Sequence, residues 1–133
     1  MGNHCDIQYG VTFISEHYHT GKISVGDRCL FARNCDIDIT GDIEIGDSVG
    51  ILEGAKILTH AHDPYHFMKE TNLIPFSNRA YKTNLKIGNK VLICAHAIIL
   101  PGVMEIGENS IISAGSVVNR PIPPNVIVAG NPA

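Results

Sequence analysis

Large apolar residues return at every sixth position along most of this chain: Ile45, Ile51 and Ile57, then Ile87, Ile93 and Ile99, then Ile106, Ile112 and Val118. Val25, Phe31 and Ile37 keep the same rhythm upstream, as do Met1, Ile7 and Phe13. A period of six fits neither the helical stripe nor the two-residue alternation of a half-buried strand. It predicts a solenoid in which each hexamer forms one short wall and three hexamers close a coil of about eighteen residues.

Each triplet opens on a similar signature: Val25-Gly26-Asp27, Ile45-Gly46-Asp47, Ile87-Gly88-Asn89 and Ile106-Gly107-Glu108, with Met1-Gly2-Asn3 reading the same way. Four residues after an anchor stands a small or β-branched side chain, as at Cys29, Cys35, Val49, Ala55, Ala61, Val91, Ala97, Val103, Ser110 and Ser116. The anchor is expected to fill the interior and the small residue to turn the corner, with glycine, Asn or Asp supplying the backbone conformations that other residues adopt at a cost. The predicted fold is all-β, a parallel β-helix of about five coils forming one domain over residues 1–133, each coil leaning on its neighbours.

One excursion from the rhythm is long. Val25 to Ile45 is twenty residues and Ile87 to Ile106 nineteen, but Ile45 to Ile87 is forty-two, which places an inserted loop at about 59–86. Solenoids carry insertions as loops on one face, often the binding face, and a long aperiodic loop is usually functional. At its root lie His60, His62 and His66, followed by Phe67, Met68, Phe76, Arg79, Tyr81 and Lys82, a mixture suited to a sugar ring, free or on a carrier.

Composition narrows the function classes. The 133 residues are 44% apolar with a formal net charge of −3 and no run of Lys or Arg, which argues against a nucleic-acid surface. No signal peptide and no apolar run of membrane-spanning length is read, so a cytoplasmic location without membrane insertion is expected. The four cysteines form no CxxC pair; Cys5, Cys29 and Cys35 fall at corner positions, and Cys94 directly follows an anchor.

Histidine accepts a proton near neutral pH, so one placed where a reacting hydroxyl reaches it is a candidate general base. Asp36 and Asp38 flank the Ile37 anchor about one coil before the histidines, where outward side chains would stand beside them. A metal reading is the alternative: His62 and His66, four apart, with a third histidine from another chain would hold zinc with an open position. The γ-class carbonic anhydrases are β-helices with such sites, but their histidine pair is separated by four residues and here by three.

Three segments carry a more specific resemblance: residues 57–64 (ILTHAHDP), 85–93 (LKIGNKVLI) and 112–133, ending in Ala129-Gly130-Asn131-Pro132-Ala133. They resemble the maltose, galactoside and cell-surface-sugar O-acetyltransferases of the hexapeptide-repeat family, and the resemblance implies the left-handed form of the β-helix. In that family the catalytic histidine follows a threonine or serine by three residues and directly precedes a proline or aspartate. His62 meets both conditions, after Thr59 and before Asp63-Pro64, so the resemblance implies His62 as base, with His60 and His66 orienting it or touching the acceptor.

The resemblance further implies direct acetyl transfer from acetyl-CoA to a sugar hydroxyl, with no metal required; an amine acceptor would use the same base. The Ala95 amide would meet the developing oxyanion. Ala95 and Ala114 would bind the pantetheine arm, Leu92 would stand where relatives have an aromatic residue, and Asn119 and Arg120 would approach the nucleotide phosphates. Asp38, then Asp36, would bind the acceptor. Active sites between the subunits of a homotrimer are expected. A noncatalytic hexapeptide-repeat scaffold is the other class considered.

Overall fold

A computed structural model describes residues 1–16, 20–62 and 81–133. Its strands stack into three walls. The first wall holds Ile23–Val25, Ile43–Ile45, Leu85–Ile87 and Glu105–Ile106. The second holds Asp6–Ile7, Leu30–Phe31, Gly50–Ile51, Leu92–Ile93, Ile111–Ile112 and Ile127–Val128. The third holds Thr12–Ile14, Asp36–Asp38, Lys56–Ile57, Ile98–Ile99 and Val117–Val118. Pairing within every wall is parallel, and the chain visits the walls in turn, so each circuit is one coil of a parallel β-helix.

The sixfold anchors meet one another from coil to coil: Ile45 on Ile87 on Ile106, Phe31 on Ile51 on Ile93 on Ile112, and Ile37 on Ile57 on Ile99 on Val118. All of these side chains are buried, each isoleucine stabilising the prism by ~1.5–3 kcal/mol relative to exposure. The first coil differs in burial. Met1 is 69% exposed, and Ile7 and Phe13 are exposed as well.

The Gly-Asp signature has a direct physical cause. A Cβ at Gly46 would lie 2.4 Å from Asn89 Oδ1 and 3.0 Å from the Gly88 carbonyl carbon, so the coils stack closely only without one. The acid or amide that follows accepts an N–H from the preceding coil: Asn3 donates to Asp27 Oδ1 at 2.8 Å, Asp27 to Asp47 at 2.7 Å and Asp47 to Asn89 at 2.8 Å. This column satisfies backbone donors that the turn leaves unpaired.

The corners correct one expectation. Gly10, Gly54 and Gly115 and the asparagines 34, 109 and 125 have positive φ, but so do His4, Arg28, Ser48, Lys90 and His96. Hydrogen bonds between coils hold four of them in the left-handed region: Arg28 N–H donates to Asn3 O, Ser48 N–H to Asp27 O and Lys90 N–H to Asp47 O, each at 2.8 Å, and His96 N–H to Glu53 O at 2.9 Å. Ala61, expected at a corner, instead lies in His60–Ala61, which pairs antiparallel with Tyr81–Lys82. This pair closes the root of the insertion, Thr83 N–H donates to Thr59 O at 2.7 Å, and Leu85 N–H rejoins the prism on Asp42 O at 2.9 Å. His66, Phe67, Met68, Phe76 and Arg79 lie outside the described residues.

Candidate active site

The insertion leaves the prism at the end of the third wall, and a charge is buried there. In Asp36–Asp38 the Ile37 side chain points inward and both acids stand on the outer face. Asp38 is nevertheless only 5% exposed, because Thr40 and the Thr59-His60 backbone fold over it. Its Oδ1 accepts from Thr40 N–H at 3.0 Å and Thr40 Oγ1 at 2.6 Å. Its Oδ2 accepts from Thr59 N–H at 2.7 Å and His60 N–H at 2.9 Å, and lies 2.6 Å from His60 Nδ1.

Burial alone would push the Asp38 carboxyl up. The hydrogen bonds from Thr40, the Thr59 amide and His60 outweigh it and hold the group down at about 2. Asp38 is therefore a fixed anion that only accepts hydrogen bonds, so His60 Nδ1 must carry the proton and donate. The Nε2 of His60, the far nitrogen of the ring, lies 3.3 Å from Glu16 Oε1. A carboxylate fixing the tautomer of a histidine in this way equips the far nitrogen as a base.

His62 stands at the mouth of the site, its side chain 46% exposed and its ring edge-on to that of His60 with centroids 5.0 Å apart. Its Nε2 lies 3.2 Å from Glu16 Oε1, and the same oxygen lies 3.3 Å from His60 Nε2. Glu16 arrives from the first coil, held by its N–H on Thr40 Oγ1 at 3.1 Å. Sequence reasoning passed over Glu16 and Thr40. The available signal was the register of Ile14 on Asp38, which brings the residues just after each into the same neighbourhood.

The other expected site residues are distributed along two edges. Asp36 is engaged away from the histidines, accepting from Thr12 Oγ1 at 2.6 Å and paired with Lys56 Nζ. These partners, Lys56 first, hold its carboxyl below the usual range. Ala95 and Ala114 occupy the corner before the third wall, stacked with Gly115 N–H donating to Ala95 O at 3.0 Å. Leu92 lies on the adjoining second wall over Gly50, where a Cβ would meet its Cδ1 at 2.8 Å. Asn119 and Arg120 are exposed at the opposite edge of the third wall, just after Val117–Val118 and on the side where Thr59 and His60 follow Lys56–Ile57. Within one chain the wall separates Ala95 from His60. Cys29 and Cys35 are buried in the prism, and burial raises both thiols, which leaves them inert as nucleophiles.

In sequence and in fold the chain is similar to the hexapeptide-repeat acetyltransferases. It is 38% identical to galactoside O-acetyltransferase of Escherichia coli over 104 residues, 77% of this chain and 48% of the relative. It is 40% identical to the CapG protein of Staphylococcus aureus over 115 residues, 84% of this chain and 63% of the relative. A hexapeptide-repeat acetyltransferase of Vibrio cholerae, solved with acetyl-CoA, superposes with a TM-score of 0.78 at 26% identity, over 99% of this chain and 66% of that one. The shared fold is the left-handed β-helix. The chain thus spans about half to two thirds of the length of these proteins. No family model matches.

Proposed function

We propose that this protein transfers an acetyl group from acetyl-CoA to a hydroxyl of a sugar or sugar conjugate, with His60 as general base. The observation that carries this reading is the buried Asp38 anion on His60 Nδ1, at the root of the long insertion. Relatives named as galactoside O-acetyltransferase and a fold neighbour solved with acetyl-CoA support the donor and the class of acceptor.

In this mechanism the acceptor hydroxyl approaches His60 Nε2, which takes its proton as the oxygen attacks the thioester carbonyl. Asp38 holds the ring and stabilises the imidazolium that forms. Collapse of the tetrahedral intermediate expels the coenzyme A thiolate, which takes the proton back from His60, so no acetyl-enzyme forms. The Ala95 amide is the assigned oxyanion donor. Because a full wall lies between Ala95 and His60, the two meet when a second copy supplies one of them, which supports a homotrimer with sites at the seams. In that arrangement Ala95, Ala114 and Leu92 of one edge and Asn119 and Arg120 of another flank a single groove for coenzyme A. The four cysteines are unpaired thiols, in keeping with a reaction in the reducing cytoplasm. Among the described residues no helix is long and apolar enough to cross a membrane.

The choice of base departs from the sequence expectation of His62, and one assay decides it. Thiol release from acetyl-CoA is measured over a panel of monosaccharides, nucleotide-sugars and small alcohols, with the native protein, His60→Ala and His62→Ala. Loss of the base lowers turnover by about 10²–10⁴, and this is expected for His60→Ala, with a much smaller change for His62→Ala. The reverse result makes His62 the base. Absence of acceptor-dependent release by the native protein on the whole panel overturns the acetyltransferase reading.

A further inference from the structure

Two imidazoles and a carboxylate converge at the mouth of the site. Glu16 Oε1 lies 3.3 Å from His60 Nε2 and 3.2 Å from His62 Nε2, while His60 Nδ1 is engaged by Asp38 on the far side of the ring. Such a convergence is a donor set for a cation.

The spacing identifies the kind of cation. Glu16, His60 and His62 each offer one ligand atom, all within 4.8 Å of one another, and Glu16 Oε1 lies 3.3 and 3.2 Å from the Nε2 atoms of His60 and His62. A tetrahedral zinc with bonds of about 2.0–2.1 Å sets its ligand atoms about 3.3–3.4 Å apart, close to the two nitrogen–oxygen separations found here. Two imidazoles and one carboxylate form the ligand set of open zinc sites. Asp38 behind His60 supplies the outer carboxylate that orients a metal-bound histidine. Calcium and magnesium prefer all-oxygen surroundings and fit poorly.

We propose that Glu16, His60 and His62 form a three-ligand site for zinc or a similar divalent transition metal, and that metal bound there switches the acetyl transfer off. The inhibitory part rests on His60 being the base: a metal on Nε2 takes the lone pair that would accept the hydroxyl proton. The ligands come from the first coil and from the root of the insertion, so the metal also ties the two together.

The test separates binding from turnover. Full-length protein freed of metal with a chelator is titrated with Zn²⁺ by calorimetry and with Co²⁺ by visible absorption, and in parallel the thiol-release assay is run over the same zinc range. The native protein is expected to bind one ion per chain, with the intense visible bands of low-coordinate Co²⁺, and to lose activity in step with occupancy. Glu16→Gln, a half-exposed position, is expected to weaken zinc binding by about tenfold or more, and to shift the inhibitory concentration by the same factor. No stoichiometric binding to the native protein, or equal affinity in Glu16→Gln and His62→Ala, overturns the site. Tight binding at this site with undiminished transfer overturns the switch. If the metal-free protein transfers no acetyl group, the functional reading fails while the binding titrations still decide the site.

Discussion

The two ends of the third wall are built from the same strands and behave differently. At the Gly54–His96 corner the period is kept, and what holds the chain is repetition: Gly54 N–H donates to Arg33 O, His96 N–H to Glu53 O and Gly115 N–H to Ala95 O, one backbone bond per coil. At the Thr59–His60 end the period is broken, and the chain is held by a single buried carboxylate that gathers two threonines and a histidine. A repeated bond is redundant, since its neighbours above and below do the same task. A unique network has no substitute, and for that reason it can fix one side chain in one orientation.

The sharpest way to break this contrast is Asp38→Asn. The change removes the charge and turns an amide N–H₂ toward donors that had an acceptor. Stability is expected to fall by about 2–4 kcal/mol, read from denaturant or thermal unfolding beside His62→Ala, which should unfold near the native midpoint. Unfolding of Asp38→Asn together with the native protein would show that the network does not anchor this edge. The pH dependence gives a second, smaller handle. The folded carboxyl sits at about 2 against an ordinary 3.8, a depressed value, so its contribution is complete above the unfolded value and is lost as pH falls from about 4 toward 2. The loss amounts to about 2 kcal/mol. The stability gap between native and Asp38→Asn should therefore narrow over that acid range, and a gap that stays constant would refute the assignment.

The same contrast explains what the sequence disclosed. Ile45, Ile51 and Ile57 and their successors announced the prism because every coil repeats the inward position, and the register follows from counting sixes. Asp38 could be named as a candidate because it stands beside an anchor one coil before the histidines. Its partner was not legible. Whether His60 or His62 meets it depends on how the antiparallel His60–Ala61 and Tyr81–Lys82 pair leaves the prism, and no periodicity governs that turn. Glu16 was overlooked because it reaches His62 across forty-six positions from a coil whose anchors are largely exposed. Ala95 and Arg120 could be named from a resemblance, but only the stacking shows that they lie on different edges.

Two substitutions at the regular corner sharpen the comparison from the other side. Gly54 has φ +67°, and a Cβ there would lie 2.5 Å from His96 Cε1 and Nδ1. Gly54→Ala is expected to cost about 1–2 kcal/mol from the left-handed backbone alone, with a further loss from the ring unless His96 turns aside. Adding His96→Ala should recover the steric part and leave the backbone part, which a double-mutant cycle reports directly. The smallest effect is expected one rung away. Arg33 Nη2 and Glu53 Oε2 are 3.0 Å apart, but their side chains are 49% and 43% exposed, so water screens the attraction and fixing both chains opposes it. Arg33→Ala should leave the unfolding midpoint within error at moderate salt. A clear drop would mean that this corner, too, depends on a particular side-chain contact, and that the difference between the two ends of the wall is one of degree.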